Sequence, residues 1–464
     1  MADDLGARPE QLGTSLKIYF VGTAAVKVLG LVRSVAFGRL LGPKEFGVFV
    51  LCYGLVVILE PIATLGLSAS LLRFSKSAGD ARRTLTIGTA SSFGLSALLL
   101  LFVPQIARIL KLDDTALVAL TVASLVPYGF YHLLYCSYQG LRSFFKAVLV
   151  QLTYVSIFTF GGVAAFALIK PGASVAMGSH IAGGLVAALL AMPLLRAKGG
   201  GKPSFAARTV LLYGLFTIAI DMGFEAYRYV DRYVINWYLD SAQVGNFSAA
   251  YTLATIPLTL GAILGETLLP HLSAVFDRGD KDAAVGHINL FAKLVAVAGI
   301  FVVGAAAIFR EPVIALLYGA DYSDAAAVFP VLTGYHVVFA TYNILFLYFF
   351  LLKKPQIGVL TTAAGLISSF ALNVLFVPRW GIAGAAWATF ASGCVILLLL
   401  FVLGAIYGFR LDGRLFICLA ALVLSTTAIG VYAFLPAGLV LLLTPAGLDA
   451  SERSEVVRIL RGGP

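Results

Sequence analysis

Charged side chains stand at helical spacing inside long apolar stretches of this chain, and these are the residues equipped for chemistry. Asp221, Glu225, Arg228 and Arg232 recur at i, i+4, i+7 and i+11, so on a helix they fall within about 60° of one another. A charge near mid-bilayer costs a few kcal/mol or more, and by default it faces a cavity or a partner. The stripe therefore reads as the lining of a water-filled, charged cavity, or as a structural network in which Glu225 neutralises Arg228 at i+3. Asp231 lies to one side, placed to cap or pair near the helix end.

Two further charges lie near the middle of apolar runs. Lys27 shares a helical face with Tyr19, Thr23 and Ser34, while Arg33 sits off that face. A cation at that depth suits an anionic ligand or a carboxylate partner, and both readings stand. Glu60 directly precedes Pro61, whose missing N–H interrupts helical bonding. A carboxyl there suits proton uptake, because desolvation disfavours its charged form; it is equally a partner for Lys27. Glu266 and His271 suit the mouth of a cavity, and the single histidines 132, 180 and 336 read as hydrogen-bonded packing residues. There is no G-x-x-x-x-G-K-[ST] motif, metal cluster or nucleophile elbow, so neither a cofactor nor an enzymatic reaction is expected.

Such residues need elements that hold them inside a bilayer, and the composition supplies these. Hydrophobic residues make up 60% of 464, charged residues 12%, and the mean hydropathy is +0.95. A soluble domain carries about 25% charged residues. Runs of about 20 apolar residues imply spanning helices, not the short alternating segments of a β-barrel. The fold class expected is all-α, a polytopic transmembrane bundle. The net charge of +10 comes from Lys and Arg in short loops, which points to membrane topology and not to nucleic acid. The four cysteines lie in apolar stretches and read as buried thiols.

The spans expected are 17–40, 46–72, 85–110, 115–140, 147–169 and 173–195, then 209–238, 244–275, 288–317, 325–352, 356–378 and 382–407. The organisation is an N-terminal segment (1–16), a six-helix lobe (17–195), a Gly- and Lys-rich linker (196–208), a second lobe (209–407), a C-terminal helix or hairpin (408–448) and a tail (449–464). Within the C-terminal part a helix fits 415–435, ended by Pro436. Alternate loops hold sixteen Lys and Arg against eight on the other side, which places the N-terminus in the cytoplasm of a cell-membrane protein. Leu41, Gly47, Phe49, Tyr53 and Leu55 recur 198 residues later as Leu239, Gly245, Phe247, Tyr251 and Leu253; Gly172, Ala176, Ala182 and Gly184 recur 209 later. Six helices per half make this a parallel repeat about an axis along the membrane normal, as in two-lobed transporters with a site between the lobes.

Four stretches carry a resemblance. Gly38 to Phe49 (GRLLGPKEFGVF), Asp231-Arg232-Tyr233 through Val244 to Tyr251 (VGNFSAAY), Leu317 to Ala325 (LYGADYSDA) and Asn373 to Thr389 occur in order over residues 15–410. They resemble polysaccharide flippases of the Wzx type, in the superfamily that also holds multidrug exporters and lipid II flippases. The resemblance implies two six-helix lobes opening alternately, and a polyprenyl-pyrophosphate-linked oligosaccharide flipped from the cytoplasmic to the outer leaflet. Lys27, Arg33, Arg228 and Arg232 would then bind the substrate pyrophosphate. Glu60, Asp221, Glu225 and Asp231 would form an ion-coupling or cavity network. The partners implied are the lipid-linked oligosaccharide, membrane lipids, and a polysaccharide polymerase with glycosyltransferases; no nucleic acid is expected. The alternative is a multidrug or metabolite cation antiporter of the same architecture, which Asp221 and Glu225 would suit.

Overall fold

Long apolar runs become helices because a bilayer offers backbone N–H and C=O groups no other partner. The computed structural model describes residues 9–191, 194, 204–427 and 430–454. The expected linker lies outside these residues from 196 to 203, as do residues 1–8 and the tail beyond 454. Among the described residues every regular element is a helix. The first part holds α1 (Pro9–Ala63), α2 (Leu67–Phe74), α3 (Ala78–Leu100), α4 (Val103–Leu110), α5 (Thr115–Ala123), α6 (Leu125–Gly140), α7 (Phe144–Ser156), a π turn (Ile157–Gly161), α8 (Gly162–Leu168) and α9 (Ala173–Ala188). There follow α10 (Ala207–Tyr238), α11 (Ser241–Ala254), α12 (Ile256–Asp277), α13 (Lys281–Leu317), α14 (Ser323–Leu351), α15 (Gln356–Ile406), α16 (Gly413–Ser425) and α17 (Gly430–Leu443).

Among the described residues nine helices are long and apolar enough to cross a membrane; α3 and α4, bent by 76°, make a tenth if taken as one span. The protein is thus an all-α, multi-pass membrane protein. Two of these helices each join two expected spans through a kink. In α1 the kink is at Gly42 (φ 72°) and in α15 at Gly381 (φ 60°), a left-handed backbone that a side chain would strain.

Besides 85–110, which bends between α3 and α4, two further expected spans prove interrupted. The run 46–72 breaks at 64–66, because the helix carrying Pro61 closes on itself: the Gly66 N–H donates to the Pro61 carbonyl (2.7 Å), and Leu65 and Gly66 both take positive φ. The run 415–435 splits after Ser425, where the Thr426 and Thr427 hydroxyls bond back to the Val423 and Leu424 carbonyls (2.7 Å each). Pro436 consequently does not end a helix but lies inside α17.

The chain forms two compact units, residues 1–229 with 240–245, and residues 230–239 with 246–464, so the boundary falls within α10. In the first unit the Phe37 ring meets those of Phe49, Phe158 and Phe166 at 5.0–5.7 Å, joining α1 to the π turn and α8. In the second unit α14 belongs to the most buried of the candidate spans among the described residues. The glutamate of the first motif has a local purpose: Glu45 Oε2 accepts the Ala173 N–H (2.9 Å) at the start of α9. In the second unit Asn246 Oδ1 accepts the Ala325 N–H at 3.3 Å, which ties the second motif to the third.

The repeat is visible inside the first unit. A Cβ placed on Gly47 would overlap the Ser241 carbonyl, and one on Gly245 would overlap the Pro43 carbonyl. Pro43 and Ser241, like Gly47 and Gly245, are repeat equivalents 198 residues apart. Equivalent residues meeting reciprocally is the signature of a local two-fold relation.

Candidate functional site

The break at 64–66 builds the site. The Thr217 hydroxyl of α10 donates to the Gly66 carbonyl (3.1 Å), and a Cβ on Gly66 would overlap the Gly214 carbonyl. This contact lays α10 against the broken helix. Asp221 and Glu225, one and two turns beyond Thr217, are thereby carried on the same face to the height of Glu60. A third wall comes from α6. Glu60, His132, Asp221 and Glu225 line one cavity of about 210 Å³, together with Tyr128 and Ser68.

Glu60 is 5% exposed, and its Oε1 gathers three contacts. Thr64 Oγ1 (3.2 Å) and Ser68 Oγ (3.4 Å) donate to it, and His132 Nδ1 lies at 2.9 Å. The contact is a hydrogen bond when the imidazole carries a proton on Nδ1 or when the carboxyl group itself is protonated. Glu225 accepts two hydrogen bonds from Arg228 Nη1, each 3.0 Å, as the i+3 spacing suggested. Asp221 is half-buried and has no ion pair among the described residues. Three carboxyl groups thus line one space, while Arg228, tied to Glu225, stands exposed outside that lining, which leaves the cavity wall acidic.

The remaining expected residues are dispersed. Arg33 is half-buried, its guanidinium 4.2 Å from the Phe158 ring centroid and 5.7 Å from that of Tyr53. Tyr128 is the shared wall between this aromatic box and the acidic cavity, its ring 6.5 Å from Tyr53 and 5.2 Å from His180. Lys27 is exposed on α1, and Glu60 pairs with His132 instead. Asp231 and Arg232 leave the stripe altogether. They are buried in the second unit, bonded to each other at 2.8 Å, with Arg232 stacked 3.9 Å over Tyr251 and Asp231 near the Thr389 hydroxyl (3.4 Å).

Among the histidines, packing roles fit His336, whose Nδ1 meets the Leu332 carbonyl (2.8 Å), and His180, bonded to the Tyr154 hydroxyl (2.7 Å). His132 is different, because it faces a carboxylate in a cavity. Sequence reasoning also passed over Lys293, fully buried in α13 and bonded to Asp412 and Glu452 at 2.5 Å each. The intramembrane-charge rule applied to the stretch HINLFAKLVAVAG would have found it.

The profile of a family described as polysaccharide biosynthesis protein matches residues 13–276, more than half of the chain. Over 198 residues the chain is 22% identical to a Haloferax volcanii protein named "Probable low-salt glycan biosynthesis flippase Agl15". That match covers 42% of this chain and 41% of the relative, so about two fifths of the relative's length is spanned. The fold is similar to that of the lipid II flippase MurJ in an inward closed conformation, with TM-score 0.69, 15% identity, and 96% and 98% of the two chains covered. It is also similar to an inward-facing multidrug resistance MATE family transporter of the MOP superfamily, with TM-score 0.70, 12% identity, and 87% and 96% covered. Carried by the profile match over its N-terminal half and beyond, the chain belongs to the polysaccharide biosynthesis protein family.

Proposed function

We propose that the protein is a flippase that moves a polyprenyl-pyrophosphate-linked oligosaccharide from the cytoplasmic to the outer leaflet by alternating access. The observation that carries this reading is the cavity lined by Glu60, His132, Asp221 and Glu225, a cluster of charge among membrane-spanning helices of a polysaccharide-biosynthesis protein. Such groups are costly in lipid and repay their presence only by handling a polar cargo or an ion. Arg33, held over aromatic rings beside this cavity, is the cation best placed to meet a pyrophosphate. The Glu60–His132 pair, with Asp221 opposite, suits coupling to a proton gradient; a histidine nitrogen at 2.9 Å occupies a position where a sodium ion would require oxygen. No covalent chemistry is involved.

Proteoliposomes carrying a fluorescent farnesyl-pyrophosphate-linked disaccharide test the reading, with leaflet exposure followed by an impermeant quencher. The probe should cross faster than in protein-free vesicles, and Arg33→Ala should slow it about tenfold or more, the worth of one charge-assisted phosphate contact. A transport rate indifferent to an imposed pH gradient would remove the coupling step. The acidity of the cavity favours a second reading, antiport of an organic cation. Ethidium movement without movement of the lipid-linked probe would establish that reading in place of the first.

A further inference from the structure

The open side of α6 carries a separate message. Between 128 and 139 seven residues are buried, and the five that are half-open are Tyr128, Phe130, His132, Tyr135 and Gln139. At 100° per residue Tyr128, His132, Tyr135 and Gln139 fall within about 60° of each other, and Phe130 points the opposite way. A helix face turned to lipid is apolar, as Phe130 is. A seam of two phenols, an imidazole and a carboxamide has the chemistry of a polar cavity wall and not of a lipid-facing surface. It is about 16 Å long at 1.5 Å per residue, the extent of a short oligosaccharide.

The seam is ordered at both ends. At one, Gln139 Nε2 donates to the hydroxyls of Tyr19 (2.7 Å) and Tyr135 (3.0 Å), which lie 3.2 Å apart, so α1 and α6 bring three polar heads to one point. In the middle His132 stacks between Tyr128 and Tyr135, with centroids 6.3 and 6.4 Å away and interplanar angles of 15° and 17°. At the other end His132 enters the cavity of Glu60, Asp221 and Glu225. Aromatic faces beside hydroxyls, an amide and carboxylates are the chemistry that recognises a pyranose. The rings cover its C–H faces, and the polar heads and acids bond its hydroxyls. The residues lining this cavity include three carboxyl groups against the single imidazole of His132, with Arg33 and Arg228 outside the lining, so a negatively charged sugar is disfavoured there.

Resting on the flippase reading, we propose that the seam Tyr128–His132–Tyr135–Gln139, flanked by Tyr19, binds the glycan part of the cargo and selects neutral or amino sugars over acidic ones. Of the seam only His132 also belongs to the coupling pair, so glycan selectivity can change through Tyr135 and Gln139 while that pair and the pyrophosphate contact stay intact.

The test compares three probes on the full chain in nanodiscs: farnesyl pyrophosphate, its N,N′-diacetylchitobiose conjugate and its digalacturonic acid conjugate. The neutral conjugate should bind about tenfold or more tighter than farnesyl pyrophosphate alone, and the acidic one should show no gain. Tyr135→Phe, which keeps the ring, and Gln139→Ala should each remove about fivefold of that gain, one hydrogen bond's worth, and leave farnesyl pyrophosphate unchanged. A gain that survives in both variants, or that is equal for the acidic sugar, overturns the assignment of the seam. Failure of farnesyl pyrophosphate itself to bind overturns the flippase reading instead.

Discussion

Lys293 is 0% exposed, and its ammonium is satisfied by the carboxylates of Asp412, at the start of α16, and Glu452, in the C-terminal segment. Removing one member of a buried pair leaves an uncompensated charge. Lys293→Met should therefore lower stability by about 3 kcal/mol, the low end for buried pairs because both acids are partly solvated. Scanning fluorimetry of the purified protein measures this; an unshifted melting temperature would remove Lys293 as an anchor. Asp412 adds a pH dependence. Burial raises its carboxyl, but the hydrogen bond from Lys293, the Arg414 N–H and both cationic charges outweigh this and hold it below the ordinary value. Asp449 is likewise held well below, by the hydroxyl of Ser451 (2.6 Å), the Glu452 N–H (2.9 Å) and Arg414 (2.9 Å). A depressed folded pKa stabilises fully above the unfolded value near about 4, and the contribution is lost as pH falls through the folded value. The melting temperature should thus be insensitive to these two groups from neutral pH to about 5 and decline below about 4. Asp449→Asn should flatten that decline, and an identical slope in the variant would refute the linkage.

Elements here are positioned by backbone approach more than by side-chain chemistry. At the crossing of the segments around Gly47 and Gly245 there is no room for a Cβ on either residue, because a backbone carbonyl occupies the place. Gly47→Ala and Gly245→Ala should each cost about 1–3 kcal/mol, the range for overpacking, and slow any motion that pivots there. Gly94, exposed within α3 with nothing within 4 Å of its would-be Cβ, is the control. Gly94→Ala should be neutral or stabilise by about 0.5–1 kcal/mol through helix propensity. Equal effects at all three positions, read as melting temperatures, would show that the close crossing carries no special weight. The helices themselves were largely legible, since hydropathy placed almost every span within a few residues. The interruptions at 64–66 and after Ser425 were not, because a Pro or a Ser-Thr-Thr run permits a break without fixing where hydrogen bonding stops.

At the scale of the whole molecule, the loop charges make a topological statement that fusions can check. With the N-terminus in the cytoplasm, green fluorescent protein fused after Arg142 should fluoresce, and alkaline phosphatase fused after Lys170 should be active. The reverse pattern would invert the direction of transport proposed above. The molecule divides at 229/230, within α10, and this division sorts the charges of one helix. Asp221, Glu225 and Arg228 belong to the first unit and serve its cavity, while Asp231 and Arg232 close on each other in the second.

The sequence by itself determined the all-helical, multi-pass architecture, the internal repeat and the placement of Glu60, Asp221 and Glu225 on helices long and apolar enough to cross a membrane. Each of these follows from the chain's own periodicity and from the cost of charge in lipid. It did not determine which charges meet. Periodicity along one helix says which residues share a face, but not what another helix presents to that face. Only the tertiary structure gave Glu60 to His132 instead of Lys27 and aligned the open seam of α6 with Tyr19, contacts between residues 72 and 116 positions apart, and withdrew Arg232 from the stripe into a buried pair with its neighbour Asp231.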